Sequence, residues 1–128
     1  VTERRVVLIC GPPGAGKSTL AHALNLTVYD RDDAQWRERD FLSALVLVGR
    51  DPDAQAAVIR TGASIEARRV AAALLRPTEV RVRALDAAEC RRRIAKRGRT
   101  SPPIRSQLAA IADWHRRYEP DAGPSRHW

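Results

Sequence analysis

Apolar residues along this chain fall into four short runs, and between the runs they recur at every third or fourth position. Short runs rich in valine and isoleucine are typical of buried parallel strands, and alternation is typical of a strand with one covered face. The pattern therefore predicts four strands, at 6–9 (VVLI), 26–30 (LTVYD), 56–61 (AAVIRT) and 78–85 (TEVRVRAL).

The stretches between these strands, and the end of the chain, have the spacing of helices. Asp32 or Asp33 suits the N-cap of the second helix, Ser64 suits that of the third, and Gly98 ends the fourth. The predicted helices cover 18–25, 32–45, 64–75, 86–99 and 104–118.

Two stretches are less regular than the rest. Residues 44–49 (ALVLVG) fit either the end of the second helix or a further strand. In the last helix we expect an apolar stripe formed by Ile104, Leu108, Ile111 and either Ala112 or His115. The final segment, 119–128, is rich in proline and polar residues, and we expect it to fray.

The order of elements predicts one α/β domain over residues 1–128. Strands that alternate with helices favour a parallel sheet of about four strands with helices on both faces. Ligands of such sheets bind at the carboxyl ends of the strands. Chemistry-bearing residues that follow the strands are therefore the first candidates for a site.

The stretch after the first strand, CGPPGAGKSTL (10–20), fits the phosphate-binding template G-x-x-x-x-G-K-[ST]. Its glycines permit backbone angles that turn successive N–H groups toward a polyanion. Lysine in this motif reaches the β- and γ-phosphates, and the serine hydroxyl can ligate Mg²⁺. The motif predicts a P-loop NTPase three-layer sandwich that binds ATP and Mg²⁺ through Gly11, Gly14, Ala15, Gly16, Lys17, Ser18 and Thr19.

Asp32 follows the second strand and is a candidate general base. A carboxylate at this edge can take the proton of an acceptor hydroxyl and orient its oxygen toward the γ-phosphate. Asp32 is also a candidate metal ligand, because the third strand ends in Arg60-Thr61 where many P-loop NTPases carry an acid. The alternative is that Asp32 only caps the second helix, a role that Asp33 can fill alone.

A run of arginines on the fourth helix precedes Gly98 and a proline-containing loop. Arg93 and Arg97 are four residues apart and share a helical face, so both can clamp phosphoryl oxygens. We therefore predict that residues 91–104 form an Arg-rich lid that closes over ATP. The alternative is a solvated basic face, which we expect for Arg91 and Arg92.

Composition narrows the class of protein further. The formal net charge of +8 favours an anionic partner, although only two of the 23 basic residues are lysine. No apolar run reaches membrane-spanning length, and the first residues are too charged for a signal peptide. Cys10 and Cys90 lack metal-ligand spacing and are expected to be buried, reduced thiols in a cytoplasmic protein.

Over residues 5–118 the chain resembles the kinase domain of phage-type polynucleotide 5′-hydroxyl kinases. The resemblance lies in the stretches GPPGAGKST, RDD after the second strand, VIRTGASIEARR, and RRRIAKRG followed by a proline-containing loop. It implies transfer of the ATP γ-phosphate to a nucleic-acid 5′ end. It also implies a base role for Asp32, and lid roles for Arg97 and Arg93.

The chain departs from that family on the acceptor side. The family has an arginine that contacts the nucleic acid three residues beyond the base, and this position is Gln35 here, with Arg37 as a stand-in. Thr61 stands where the family has an aspartate. Three hypotheses follow: a polynucleotide kinase, a kinase of a nucleoside, sugar or other small molecule, and a nucleotide-binding accessory protein without catalysis.

Overall fold

The computed structural model describes residues 3–33 and 35–121. Its strands are β1 (Arg5–Cys10), β2 (Thr27–Asp30), β3 (Gln55–Arg60) and β4 (Glu79–Val82). Its helices are α1 (Lys17–Ala23), α2 (Glu38–Arg50), α3 (Ile65–Leu75), α4 (Ala87–Arg97) and α5 (Ile104–Arg117). Across the described ranges, no helix combines the length and apolar character needed to cross a bilayer.

The four strands form one parallel sheet in the order β2-β3-β1-β4. The chain leaves β1 toward the β2 edge of the sheet, and it leaves β3 toward the β4 edge. Because these connections run in opposite directions, a crevice opens between the carboxyl ends of β1 and β3, where open α/β sheets bind ligands. The loop that follows β1 begins in this crevice, as expected from the sequence.

Helices cover both faces of the sheet, which confirms the predicted three-layer architecture. On one face α2 and α3 pack through Phe41, Leu45 and Leu75 against alternate residues of β1 and β3. On the other face α1 packs through Ala21 against Val7, Ile9, Ala57 and Ile59. The central strands are buried on both sides, which explains their continuous apolar runs.

The second helix begins six residues later than the predicted 32–45, at Glu38 with Arg37 at the N-cap. Asp30 explains part of the difference, because its carboxylate and carbonyl accept the backbone N–H groups of Asp32 and Asp33 in a turn. Beyond that turn, the Trp36 ring stacks on Tyr29 and meets Phe41 edge to face. Neither aspartate caps α2, and the ambiguous stretch 44–49 is helix.

The predicted apolar stripe of the last helix was also wrong, except for Ile111. Ile104 and Leu108 are each 37% exposed, and the buried face of α5 is formed by Gln107, Ile111 and Trp114. This face is turned toward α4 and the β3–α3 loop, where the Trp114 indole donates to the carbonyl of Thr61. A polar contact and an aromatic anchor therefore set the rotation of α5.

The start of the segment expected to fray is anchored. Glu119 donates its backbone N–H to Ala63, and its carboxylate accepts the N–H of Ile65 at the start of α3. Buried Arg68 donates to the carbonyls of Gly62 and Ala63, and to that of Glu119. Backbone carbonyls thus satisfy most of this buried guanidinium. The remainder of the expected frayed tail, 122–128, lies outside the described residues.

Candidate functional site

The loop between β1 and α1 has the backbone geometry of a phosphate cradle. Gly14 and Gly16 both have φ of +80°, a left-handed backbone conformation that residues with a Cβ atom rarely adopt. A Cβ on Gly14 would also lie 2.8 Å from the carbonyl oxygen of Cys90, so α4 closes against the loop at that point. The glycine spacing read from the sequence therefore has a structural cause at both positions.

Lys17 is the cation at the centre of this loop. Its Nζ donates to the carbonyl of Gly11 at 2.6 Å, so the side chain folds back over the loop. Burial lowers the pKa of Lys17, and the nearby carboxylates of Asp32 and Asp30 partly oppose that shift. A partly buried ammonium held beside two carboxylates is suited to an anionic ligand that replaces the water it has lost.

The loop is supported by contacts from the ends of two other strands. Arg83, just beyond β4, donates through Nε to the carbonyl of Ala15 at 2.8 Å. The N–H of Gly11 donates to the carbonyl of Thr61, just beyond β3, at 3.2 Å. Sequence reasoning did not select Arg83, and its only signal was a basic residue at the carboxyl end of a predicted strand.

Two acids, Asp30 at the end of β2 and Asp32 just beyond it, lie at the same edge of the sheet as the phosphate loop. The Ser18 hydroxyl donates to Oδ2 of Asp30 at 3.1 Å, and Oδ1 of Asp30 accepts the backbone N–H of Asp32 at 3.0 Å. Asp30 was not selected from the sequence, although it is the last residue of β2 and precedes the Arg-Asp-Asp triplet. The carboxylate that contacts Ser18 is thus that of Asp30, while the Asp32 side chain is exposed and free of a capping role.

One cleft of about 460 Å³ brings most of the candidate residues together. Its volume lies within the ~300–1,000 Å³ that small-molecule sites occupy. Along the lining, phosphate-loop residues lie across from acids of the β2 edge and arginines of the lid. The described lining consists of Pro13, Gly14, Ala15, Gly16, Lys17, Ser18, Thr19, Asp30, Asp32, Asp33, Ile59, Thr61, Arg97 and Arg99.

The two lid arginines occupy different positions around the phosphate loop. Arg97 lines the main cleft, where partial burial and the neighbouring Arg99 lower its pKa while Asp32 raises it. Arg93 lines an adjoining pocket, and its Nη1 lies 3.2 Å from the position that a Cβ on Gly16 would take. The Nε of Arg93 also pairs with Glu89 at 3.3 Å. Both side chains therefore lie near the loop, as the spacing on α4 predicted.

The loop from Gly98 to Pro103, which joins α4 to α5, is held by one side chain of α5. Gln107 is 5% exposed and donates through Nε2 to the carbonyls of Arg99 and Pro102, at 2.8 and 2.7 Å. Its Oε1 accepts from Arg97 at 3.4 Å. Gln107 thus links the lid arginine to the body of the protein. The sequence suggested an apolar stripe on this helix and so did not point to a glutamine.

The two acceptor-side candidates lie away from the cleft. Gln35 and Arg37 are both exposed, and neither occurs among the described residues that line it. Arg37 serves instead as the N-cap residue of α2. Their proposed contact with an acceptor stays a prediction.

The side chains present fit a triphosphate with Mg²⁺. The cradle around Gly14 and Gly16 and the partly buried ammonium of Lys17 suit phosphate oxygens. Ser18 and Asp30 offer adjoining oxygen atoms, and Mg²⁺ usually takes only one or two carboxylates plus phosphate and water. No group of three or more His, Cys, Asp or Glu side chains suited to a metal occurs within 3–33 and 35–121.

Comparison with known proteins identifies the fold. No protein-family model matches the chain, and no curated protein matches its sequence. Among solved structures, a gluconokinase from Sinorhizobium meliloti 1021 superposes with a TM-score of 0.64 at 15% identity, covering 98% of this chain and 81% of that one. The protein APE1195 superposes with a TM-score of 0.62 at 18% identity, covering 97% and 84%.

A third neighbour is an unliganded sugar kinase from Janibacter sp. HTCC2649, with a TM-score of 0.59 at 20% identity over 84% of this chain and 78% of that one. Two of these three proteins are thus named as kinases of sugars or of a related acid. At these identities the likeness shows a shared fold. The chain therefore shares the α/β fold of these structures, with a parallel sheet between helices, as the sequence predicted.

Proposed function

We propose that this protein is a P-loop kinase that transfers the γ-phosphate of ATP to a hydroxyl group of a small polar molecule. The observation that carries the proposal is the single cleft in which Lys17 and Ser18 of the phosphate loop adjoin Asp30 and Asp32. Its structural neighbours named as a sugar kinase and a gluconokinase support a small-molecule acceptor. This reading is the second of the three hypotheses from the sequence.

In the proposed reaction the acceptor oxygen bonds to the γ-phosphorus, and the bond from that phosphorus to the bridging oxygen breaks, so that ADP leaves. Asp32 takes the proton of the acceptor hydroxyl as the new bond forms. Lys17 and Arg97 stabilise negative charge on the transferred group. Mg²⁺, held by Ser18 and Asp30, would neutralise phosphate charge when bound. The chain itself positions the two reactants and receives the proton.

A polynucleotide 5′-hydroxyl is the second candidate acceptor. The Arg-Asp-Asp triplet and the net charge of +8 favour it, since nucleic acid attracts basic proteins. Against it, Gln35 replaces the family's phosphate-contacting arginine, and neither Gln35 nor Arg37 lines the cleft. The two acceptors therefore differ in what must lie beside Asp32: a compact molecule for one, and a strand with its phosphates for the other.

An acceptor screen tests the proposal directly. The protein is incubated with Mg²⁺ and ATP labelled on the γ-phosphate, and with sugars, sugar acids, nucleosides or a 5′-hydroxyl oligonucleotide. We expect label on one class of small molecule, with transfer abolished in Lys17→Ala and reduced in Asp32→Ala. Asp40→Ala is the matched control, because it removes an exposed carboxylate from the first turn of α2, outside the cleft.

Other outcomes assign other functions. Label on the oligonucleotide alone, with an apparent affinity that falls steeply as salt is added, would establish the polynucleotide kinase. Tight ATP binding with transfer to no acceptor, and with no dependence on Asp32, would establish a nucleotide-binding protein without catalysis.

A further inference from the structure

A second cavity, of about 230 Å³, adjoins the main cleft at the carboxyl ends of β2 and β3. It shares Lys17, Asp30, Asp32, Ile59 and Thr61 with the cleft, so the two open onto the same carboxylates. The cavity is thus the place where an acceptor would lie beside Asp32.

Only two described residues line this cavity without lining the cleft, and both are arginines. Arg31 is engaged, because its Nε pairs with Glu38 at 2.6 Å and its Nη1 donates to the carbonyl of Trp36 at 3.2 Å. Those contacts tie the turn after β2 to the start of α2. Arg31 therefore has a structural task and little of its guanidinium left for a ligand.

Arg60, the last residue of β3, is held differently. Its guanidinium carbon lies 5.5 Å from the centroid of the buried Phe41 ring, a cation–π contact that fixes the side chain. No carboxylate or hydrogen-bond acceptor from the described part of the chain pairs with it. A half-buried, positioned guanidinium with all its donors free is suited to an anion.

We infer that Arg60 forms an anion subsite for the acceptor, so that the molecule phosphorylated carries a carboxylate or phosphate group near its reacting hydroxyl. The inference rests on the proposed function and names the chemical class of its substrate. A planar guanidinium binds either anion through two parallel hydrogen bonds, which neutral polyols cannot match. The end of β3, where many P-loop NTPases carry an acid, would thus recognise the acceptor instead of the metal.

Binding measurements test this inference without requiring turnover. With the phosphate loop saturated by Mg²⁺ and ADP, titration calorimetry compares three pairs: gluconate with glucose, glycerol 3-phosphate with glycerol, and a 5′-hydroxyl dinucleoside monophosphate with its nucleoside. The pairs distinguish a carboxylate, a phosphate monoester and a phosphodiester. We expect at least one anion to bind about tenfold or more tightly than its neutral counterpart.

The same titrations on three variants assign the effect. Arg60→Gln should remove the preference for the anion, and Arg60→Lys should keep part of it. Arg50→Gln, which removes one exposed arginine at the far end of α2, is the control for net charge and should leave the preference unchanged. Affinity for ADP should stay within about twofold in all three, because Arg60 and Arg50 lie outside the phosphate loop.

Several outcomes would overturn the inference: equal binding of each anion and its neutral counterpart, no binding of any anion, or a preference that survives in Arg60→Gln. The proposed function fails separately. Anion-selective binding lost in Arg60→Gln, together with no phosphate transfer to the bound compound, would retain the subsite and refute the kinase. Transfer to neutral acceptors alone would retain the kinase and refute the subsite.

Discussion

The two sides of the candidate site differ in whether backbone groups or side chains form them. The phosphate side is mostly main chain: a glycine loop on a fully buried strand, supported by Arg83 and the carbonyl of Thr61. On the acceptor side, exposed or half-buried side chains, among them Asp32 and Arg60, project from turns and strand ends. Loops that carry side chains can change without disturbing a core, whereas a buried backbone cradle cannot.

Triphosphate binding and acceptor recognition therefore place different demands on the sequence. Binding of a triphosphate needs backbone N–H groups in one geometry, and few sequences supply it. Recognition of an acceptor needs only suitable side chains at one edge of the sheet, and many different combinations of side chains can bind an acceptor there. Changes on the phosphate side should therefore affect every ligand, while changes on the acceptor side should affect transfer and leave folding and ADP binding nearly intact.

Lys17→Ala should give the largest effect on the phosphate side. Removing the ammonium group takes away charge stabilisation in the transition state, so we expect the rate of transfer to fall by about 10³-fold. ATP affinity should fall as well. Label transfer and calorimetry measure the two quantities. Arg39→Ala, which removes an exposed cation from α2 outside the cleft, should cost far less, and equal losses in both variants would contradict the assignment.

Asp32→Asn should give the largest effect on the acceptor side. The amide cannot take a proton, and loss of a general base lowers rates by about 10²–10⁴-fold. Because Asp32 is exposed and does not cap α2, the free energy of unfolding and the affinity for ADP should hardly change. Transfer kinetics and urea unfolding check both parts. Rates unchanged from Asp40→Asn would assign the proton to another group.

The free energy of unfolding should depend on alkaline pH through Cys10, the last residue of β1. Burial raises the pKa of Cys10 to about 11, from an ordinary value of 9.0, with the opposing effects of Arg68, Lys17 and Arg60 smaller. A raised folded pKa contributes stability that is complete below pH 9 and is lost as pH rises through 11. The thiol ionises near pH 9 in the unfolded chain but only near pH 11 in the folded protein. The unfolding free energy should therefore fall by about 2 kcal/mol between pH 9 and 11.

Cys10→Ala isolates that contribution, because other groups titrate in the same range in both proteins. Chemical unfolding at several pH values should show the wild-type protein losing more stability than the variant. Parallel curves would mean that the pKa of this thiol is the same in the folded and unfolded chains, as expected if water reaches the end of the strand.

Gln107→Ala should give the smallest effect. Two carbonyls of the lid loop lose their donor, and we expect the protein to lose about 1 kcal/mol of stability. The Michaelis constant for ATP should rise a few-fold, because Arg97 loses its contact with α5. Denaturation and steady-state kinetics report these values, with the exposed neighbour Ser106→Ala as control. A lid that is independent of α5 would leave both values unchanged.

Much of the fold could be predicted from local pattern alone. Four apolar runs specified four parallel strands, and the glycine spacing after the first one specified the phosphate loop. Both signals lie within a few consecutive residues, because burial on two faces and left-handed backbone angles are demands on a residue and its neighbours. The prediction of a nucleoside triphosphate as ligand rests on the same short stretch, since the motif itself carries the chemistry.

Only the tertiary structure decided the start of α2, the face of α5 and the partner of Ser18. The Trp36 ring contacts those of Tyr29 and Phe41. Gln107 donates hydrogen bonds to the lid loop, and Asp30 accepts one from Ser18 at the sheet edge. The guanidinium of Arg60 is of the same kind, since its lack of a counter-ion among the described residues is a property of the assembled edge. Such contacts join residues brought together by folding, and no periodicity along the chain records which of them will meet.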